Sequence, residues 1–167
     1  MELLLEPMRK EDVPGVKDLI ADVVLELYGD VDFLPKTGPE LLQHYGRIGY
    51  LKDIENFETE YGPGNGVFFV LRGAGGLCGC GGIRRIGSDQ GELTRLWLRK
   101  DARKMGYGRK IFEALIQAAG QIGFREVYLD TSARCVDALR LFRANGFEDC
   151  PKYKESIGDI FLRKKLG

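Results

Sequence analysis

A glutamate, a glycine-bearing loop and a cluster of bases lie close together in the middle of the chain. Glu92 opens the apolar run Glu-Leu-Thr-Arg-Leu-Trp-Leu-Arg, and residues 100–110 follow as Lys-Asp-Ala-Arg-Lys-Met-Gly-Tyr-Gly-Arg-Lys. Seven basic residues and one acidic residue lie between Arg95 and Lys110. Glycine lets a backbone approach a ligand closely, and the first N–H groups of a helix bind phosphate. The loop therefore predicts an anion site, suited to a phosphorylated cofactor.

Hydrophobic spacing places this loop between a strand and a helix. Residues 92–99 are predicted to form a strand, and residues 108–122 an amphipathic helix that Gly123 ends. The other predicted elements are strands at 2–7, 67–71, 77–83 and 127–131, one or two final strands within 148–162, helices at 11–28 and 135–145, and a weaker helical region at 40–61. This order predicts one mixed α/β domain over residues 1–167.

Composition limits the classes of protein that the chain can belong to. It has 167 residues, 44% of them hydrophobic, and no apolar run near the ~20 residues that span a membrane. The acidic N-terminus lacks the basic start of a signal peptide, so we expect a cytoplasmic protein. The four cysteines form no C-x-x-C pair and predict free thiols rather than a metal site. His44, the only histidine, is expected to be an ordinary helix residue.

The charges are unevenly distributed along the chain. Residues 1–66 hold 14 acidic and 6 basic residues, a net charge of −8, and residues 67–167 hold 11 acidic and 19 basic residues, a net charge of +8. Solvated helix faces are one explanation, and a cation-facing half opposite an anion-facing half is the other. The bases cluster at the loop and do not form a basic face with interleaved aromatic residues, so we expect no nucleic-acid partner.

Several stretches together resemble the GNAT superfamily of acyl-CoA-dependent N-acyltransferases. Residues 103–108 match its R/Q-x-x-G-x-G/A signature, residues 92–131 resemble its central strand–loop–helix–strand core, and ALRLFRANGF at 138–147 resembles its next helix. LCGCGGIRRI at 77–86 resembles the strands before that core. The resemblance implies an α+β fold: a mostly antiparallel sheet of about six or seven strands with helices on both faces.

The resemblance implies acetyl-CoA as the co-substrate. The loop amides would hold its pyrophosphate, the basic side chains would reach its 3′-phosphate, and its pantetheine arm would extend along the preceding strand. The Leu96 N–H would polarise the thioester carbonyl as a one-donor oxyanion hole. The implied cofactor-binding residues are Leu96, Trp97, Leu98, Arg103, Lys104, Met105, Gly106, Tyr107, Gly108 and Arg109.

Glu92 is the implied general base, because some family members carry a glutamate eleven residues before the first residue of the loop signature, here Arg103. Strand alternation predicts that Glu92, Thr94, Leu96 and Leu98 share one face, on the side of the thioester. An ammonium must lose a proton before it can attack, and a carboxylate there could accept it. The alternative for Glu92 is a salt bridge with Arg84 or Arg85.

The chain departs from the family pattern at the general acid. Phe142 replaces the tyrosine that often protonates the leaving thiolate, and Cys135 replaces an asparagine. Three explanations stay open: the thiolate leaves without direct protonation, Tyr153 or Tyr128 serves instead, or the domain binds acyl-CoA without catalysis.

The sequence therefore predicts an N-acetyltransferase that moves an acetyl group to a primary amine by direct attack in a ternary complex. Residues 67–150 would form the acetyl-CoA-binding core and residues 1–66 the acceptor-binding region. The acidic first half favours a small cationic amine, an amino acid or a peptide as acceptor. We expect no metal or membrane partner, and a homodimer stays open.

Overall fold

The computed structural model describes residues 2–167, which form a seven-stranded sheet. The strands are β1 (Leu4–Pro7), β2 (Gly66–Gly73), β3 (Gly76–Arg85), β4 (Gln90–Leu98), β5 (Glu126–Thr131), β6 (Glu148–Asp149) and β7 (Ile160–Lys165). Their order in the sheet is β1-β2-β3-β4-β5-β7-β6. Among these described strands, only β4 and β5 pair in parallel, and the other neighbours are antiparallel. The predicted mostly antiparallel sheet is confirmed.

The predicted helices are also present, with one region divided. The helices are α1 (Val13–Tyr28), α2 (Gly38–Ile48), α3 (Lys52–Glu55), α4 (Phe57–Glu60), α5 (Tyr107–Ile122) and α6 (Val136–Ala144). The weak helical region of the sequence separates into α2, α3 and α4. Gly49 ends α2 in the left-handed conformation, with φ of 71°, which a glycine adopts without steric cost.

The helices cover both faces of the sheet and create two hydrophobic cores. Apolar residues of α5 and α6, among them Ile111, Leu115 and Phe142, pack on one face. Apolar residues of α1, α2 and α3, among them Leu19, Leu41 and Ile54, pack on the other face. The central strands, including β4, lie between these two cores and are packed against helices on both faces of the sheet.

The glycine-rich sequence of β3 is explained by close packing across the sheet. A Cβ atom at Gly81 would lie 2.8 Å from Ile111 Cγ2 and 3.0 Å from Leu115 Cδ1. The missing side chain therefore lets α5 lie close against the sheet.

Within residues 2–167, no helix is both long and apolar enough to cross a membrane. The same residues contain no group of three or more His, Cys, Asp or Glu side chains that could hold a metal ion. All four cysteines are free thiols.

Candidate active site

The Glu92 carboxylate lies in the interior of the protein and accepts hydrogen bonds from three side chains. Glu92 is 1% exposed. Arg84 Nη2 donates to its Oε1 over 3.3 Å. The Tyr153 hydroxyl and the Lys154 ammonium donate to its Oε2 over 2.7 and 2.8 Å. Of the two predicted salt-bridge partners, Arg84 forms the bridge, whereas Arg85 lies over the Phe124 ring.

The surroundings of Glu92 determine the protonation of its neighbours. Burial raises the pKa of Tyr153, and the negative charge of Glu92 raises it further, so the phenol stays protonated. Burial alone would lower the pKa of Lys154, but its hydrogen bond to Glu92 and the charges of Glu92 and Asp130 outweigh burial and raise it. Glu92 therefore faces a neutral phenol and a charged ammonium.

A cavity of about 370 Å³ opens beside this carboxylate. Its lining comes from β3 and the turn after it, from β4, from β5 and from the segment before β7: Arg84, Ile86, Gln90, Glu92, Tyr128, Tyr153 and Lys154. Tyr153 was a candidate from its sequence, whereas Lys154 was not, and its position next to Tyr153 was the one signal that could have identified it. Residues 1–66 were predicted to form the acceptor-binding region, whereas this cavity is lined by residues between Arg84 and Lys154.

Strands β4 and β5 separate immediately after Glu92. Within residues 2–167 their parallel pairing is confined to Gln90, Gly91 and Glu92, opposite Glu126, Val127 and Tyr128. β4 continues to Leu98, so beyond Glu92 no described strand pairs with it on that side. An unpaired strand edge offers backbone N–H and C=O groups to an extended ligand. Glu92 lies where this opening begins.

A β-bulge at Arg95 changes which side chains of β4 share a face. Cys80 pairs with Trp97 and Gly82 pairs with Thr94, so two residues of β4 lie opposite Gly81. Arg95 adopts a φ of 55°, which is uncommon for a residue other than glycine. Bulges insert one residue and redirect the side chains that follow, and they are frequent beside active sites.

The prediction that Glu92, Thr94, Leu96 and Leu98 share one face is wrong because of this bulge. The Thr94 hydroxyl shares a hydrogen bond with the Tyr61 hydroxyl, over 2.8 Å, on the side of the N-terminal helices. Leu96 and Leu98 pack instead in the core beneath α5. The leucine side chains are therefore held in the core, and only the backbone of this stretch borders the opening.

Arg95 is fixed by buried contacts and does not belong to the anion site. Its Nη2 donates to Asp53 Oδ1 over 2.9 Å and to the Tyr50 carbonyl over 2.5 Å. Its guanidinium lies 4.4 Å from the centre of the Tyr50 ring. Burial would raise the pKa of Asp53, but the charge and hydrogen bonds of Arg95 outweigh burial and lower it. This ion pair therefore anchors the bulge to α3.

The predicted phosphate loop turns through two left-handed residues and opens α5. Lys104 has a φ of 61° and Gly106 a φ of 86°, and no described side chain caps the first turn of the helix. The open N–H groups of that turn face the loop. Gly108 lies in the first turn of α5 and does not adopt a positive φ. A Cβ there would lie 3.3 Å from Leu98 Cδ1.

Two of the bases in this region turn towards α1. The Arg103 guanidinium forms an ion pair with Glu26, and its Nε donates to the Leu98 carbonyl over 3.0 Å. Arg99 pairs with Asp22 in the same way. By contrast, the side chains of Lys104 and Arg109 are exposed. The prediction that Arg103 contributes its side chain to the anion site loses support, whereas its backbone remains in the loop.

Phe142 belongs to the hydrophobic core. It is 3% exposed, and its ring packs against Phe112 and Phe147 with centroid distances of 5.9 and 5.8 Å. Of the two tyrosines considered as substitutes, Tyr153 contacts Glu92, whereas the Tyr128 hydroxyl donates to Glu126 over 3.1 Å. Tyr153 is therefore the hydroxyl that the fold brings to the carboxylate.

Ion pairs between the two halves of the chain explain the uneven charge distribution. Arginines of the second half meet acids of the first half at seven contacts: Arg72 with Glu6 and Asp12, Arg84 with Glu60, Arg95 with Asp53, Arg99 with Asp22, Arg103 with Glu26, and Arg134 with Asp30. Much of the acidic charge of residues 1–66 is therefore neutralised within the fold. The net charge of residues 1–66 therefore does not by itself support an acidic binding surface for a cationic acceptor.

Comparisons with known proteins bear on the family and the fold of the chain. The model of the acetyltransferase (GNAT) family matches residues 34–147. An uncharacterised N-acetyltransferase of Schizosaccharomyces pombe is 27% identical over 150 residues, which cover 85% of this chain and 92% of that protein. A GNAT-family acetyltransferase from Staphylococcus aureus has a similar fold, with a TM-score of 0.80, 16% identity, and coverage of 99% and 100% of the two chains. The PaiA N-acetyltransferase of Thermoplasma acidophilum, solved with coenzyme A, gives a TM-score of 0.77, 16% identity and the same coverage.

Proposed function

The chain belongs to the GNAT family of acetyltransferases, and from this premise we propose that it transfers the acetyl group of acetyl-CoA to a primary amine. The observation that carries the proposal is the separation of β4 from β5 at the buried carboxylate of Glu92. The phosphate loop lies at one end of β4, and the cavity beside Glu92 lies at the other. The two substrates would therefore meet along a single strand.

The residues of the loop fit a pyrophosphate. Gly106 has open space where a Cβ would stand, and the first turn of α5 has no described side-chain cap that would compete with a ligand. Backbone N–H groups of residues 103–108 would hold the diphosphate, and Lys104 and Arg109 would add positive charge. When bound, acetyl-CoA supplies the thioester that carries the acetyl group.

The exposed edge of β4 fits the extended part of the same molecule. Backbone groups of Leu96, Trp97 and Leu98 border the opening between the strands, and their side chains are held in the two cores. The bulge at Arg95 sets the direction of the Leu96 amide that follows it. We assign that N–H the task of polarising the thioester carbonyl.

Glu92 would accept the proton of the acceptor ammonium, directly or through water. Its Oε2 is bonded to Lys154 over 2.8 Å, so the lysine must move before another amine can take its place. The free amine would attack in a ternary complex. The leaving thiolate has an ordinary pKa of about 8.5 and can depart at neutral pH without a dedicated acid. Tyr153 is the hydroxyl available if one is used.

The acceptor is proposed to be a primary amine that carries positive charge in solution. Glu92 and Asp130 place two carboxylates around the position that the Lys154 ammonium now occupies, with Nζ–O distances of 2.8 and 3.1 Å. Such a position suits an ammonium group. Residues 1–66 would contribute the outer part of this acceptor side, and residues 67–150 would bind the cofactor.

A non-catalytic acyl-CoA-binding module is the second candidate. The buried packing of Phe142 and the pairing of Glu92 with Lys154 favour it, since both remove groups that the reaction could use. The acetyltransferase predicts catalytic turnover and the binding module does not, whereas both predict that the chain binds acetyl-CoA.

Release of free CoA thiol from acetyl-CoA, measured across a panel of amino acids, polyamines and short peptides, tests the proposed function. We expect at least one amine to accelerate release well above hydrolysis, with one acetylated amine formed per thiol. Tight binding of acetyl-CoA with no amine-dependent release would instead identify the binding module.

A further inference from the structure

The Lys154 ammonium is a primary amine already placed at the proposed base. Its Nζ lies 2.8 Å from Glu92 Oε2 and 3.1 Å from Asp130 Oδ1. The Lys154 side chain is 35% exposed, so it reaches the cavity from solvent rather than from the core. A charged amine between two carboxylates is the arrangement that an acceptor would adopt before it loses a proton.

The segment that carries Lys154 leaves its side chain room to move. Residues 150–159 form no helix or strand, and backbone hydrogen bonds fix the segment at its two ends, from Cys150 to Phe161 and from Asp159 to Thr131. Between these ends, Ser156 donates to Asp130. A lysine has a flexible four-carbon stem, so its amine can leave the carboxylates while the strands stay in place.

We propose that Lys154 is acetylated by the active site of its own chain. The inference rests on the proposed function, because it uses the same acetyl donor and the same base. It adds a modification site: the ε-amine of Lys154 would be an internal acceptor when no free amine fills the cavity. The same geometry that requires Lys154 to withdraw for an external amine makes it the first amine to meet the thioester.

The step balances without any further reactant. Glu92 takes one proton from Nζ, and the nitrogen lone pair forms a bond to the acetyl carbon. The carbon–sulfur bond breaks, its electron pair stays on sulfur, and CoA leaves as the thiolate. The nitrogen loses its second proton as the amide forms, and this proton neutralises the thiolate, while the proton on Glu92 passes to solvent. The product is a neutral N-acetyl-lysine, so Glu92 loses one of its two cationic partners and keeps Arg84.

The test is to incubate the full chain with acetyl-CoA and no amine, and then to measure intact mass and map peptides. We expect one acetyl group per chain, on Lys154, with a rate constant that does not change with protein concentration. Glu92→Gln should slow the modification roughly tenfold or more, and Lys154→Arg should abolish it. Lys152→Arg is the matched control, because Lys152 lies two residues away, is 51% exposed and pairs with Glu155 instead.

The outcomes separate this inference from the proposed function. Turnover of external amines with an unmodified Lys154 would overturn the inference alone. Acetyl groups spread over many exposed lysines, or equal modification of Lys154 in the Glu92→Gln chain, would show chemical acetylation and would also overturn it. Failure of both Lys154 acetylation and amine turnover would overturn the proposed function together with the inference.

Discussion

At the scale of single residues, Phe142 occupies a position where packing sets the side chain. Its ring lies in the core between Phe112 and Phe147, and 3% of the residue is exposed. A core position of this kind selects for apolar volume rather than for proton transfer. The family pattern would place an acid here, and this chain uses the position to hold α6 against the sheet.

Restoring a tyrosine at this position should therefore fail to restore an acid. Phe142→Tyr buries a hydroxyl among apolar rings, and we expect a loss of about 1–3 kcal/mol in the free energy of unfolding. The turnover number should not rise. Urea unfolding and amine-dependent CoA release would measure both effects. Phe33→Tyr, at a residue that is 86% exposed, is the control and should be nearly neutral in stability. A clear rise in turnover in the Phe142→Tyr chain would place the ring in the active site.

The surroundings of Glu92 show what residue spacing can and cannot predict. The distance from the loop signature selected this glutamate, and the neighbouring strand offered Arg84 as a partner. Lys154 lies 62 positions further along, in a segment without periodic sequence, so no local pattern brings it to the carboxylate. Tyr153 was a candidate for its chemistry alone, and its contact with Glu92 comes from tertiary structure.

At the scale of elements, periodicity predicted helices and strands better than it predicted their faces. The apolar spacing of α1 and α5 and the alternation of the central strands match the observed elements. Alternation failed within β4, because Arg95 forms a bulge that no local composition signals. Asp53 and Tyr50, which hold that arginine, lie 42 and 45 residues before it in the chain. The bulge at Arg95 is therefore held by contacts with α3 and with the turn before α3.

The loop before α5 gives a prediction that separates binding from folding. Gly106→Val places a β-branched residue at a φ of 86°, which costs about 1–2 kcal/mol, and moves the amides that would hold the pyrophosphate. Losing one charge-assisted hydrogen bond of about 1.5–3 kcal/mol should weaken acetyl-CoA binding roughly tenfold or more. Calorimetric titration would measure the affinity.

Gly123→Val is the matched control for this loop, because Gly123 ends the same helix with a φ of 103° and open space around it. It should lower stability by a similar amount and leave the affinity for acetyl-CoA unchanged. If Gly106→Val binds acetyl-CoA as tightly as the control does, the loop does not hold the cofactor.

At the scale of the whole molecule, the opposite charges of the two halves serve the fold. The sequence shows that the two halves carry opposite net charges, but the structure is needed to show which acidic residues pair with which arginines. The pairs of Asp22 with Arg99 and Glu26 with Arg103 tie α1 to the end of β4 and to the loop. Exposed pairs of this kind contribute little each, whereas the buried pair of Asp53 with Arg95 leaves an uncompensated charge if one partner is removed.

The whole fold also explains why the proposed reaction would centre on one strand. β4 borders both hydrophobic cores, ends before the loop that opens α5, and loses its pairing with β5 after Glu92. A cofactor bound along its edge and an amine in the cavity would approach the same carboxylate from opposite ends. The family resemblance implied this arrangement in outline, and the cavity lined by residues 84–154 is the part that only the structure supplies.

The most direct measurement is the rate of amine acetylation by Glu92→Gln compared with the wild-type chain between pH 6 and pH 9. A general base contributes about 10²–10⁴-fold, so we expect kcat/KM to fall by roughly 10²-fold near neutral pH. The difference in kcat/KM between the two chains should decrease as the pH approaches the pKa of the acceptor amine, because more of the amine is then already unprotonated. The affinity for acetyl-CoA should not change. Glu60→Gln, which also removes a partner of Arg84, is the control and should remain active. Equal rates in the Glu92→Gln and Glu60→Gln chains at every pH would contradict the role of Glu92.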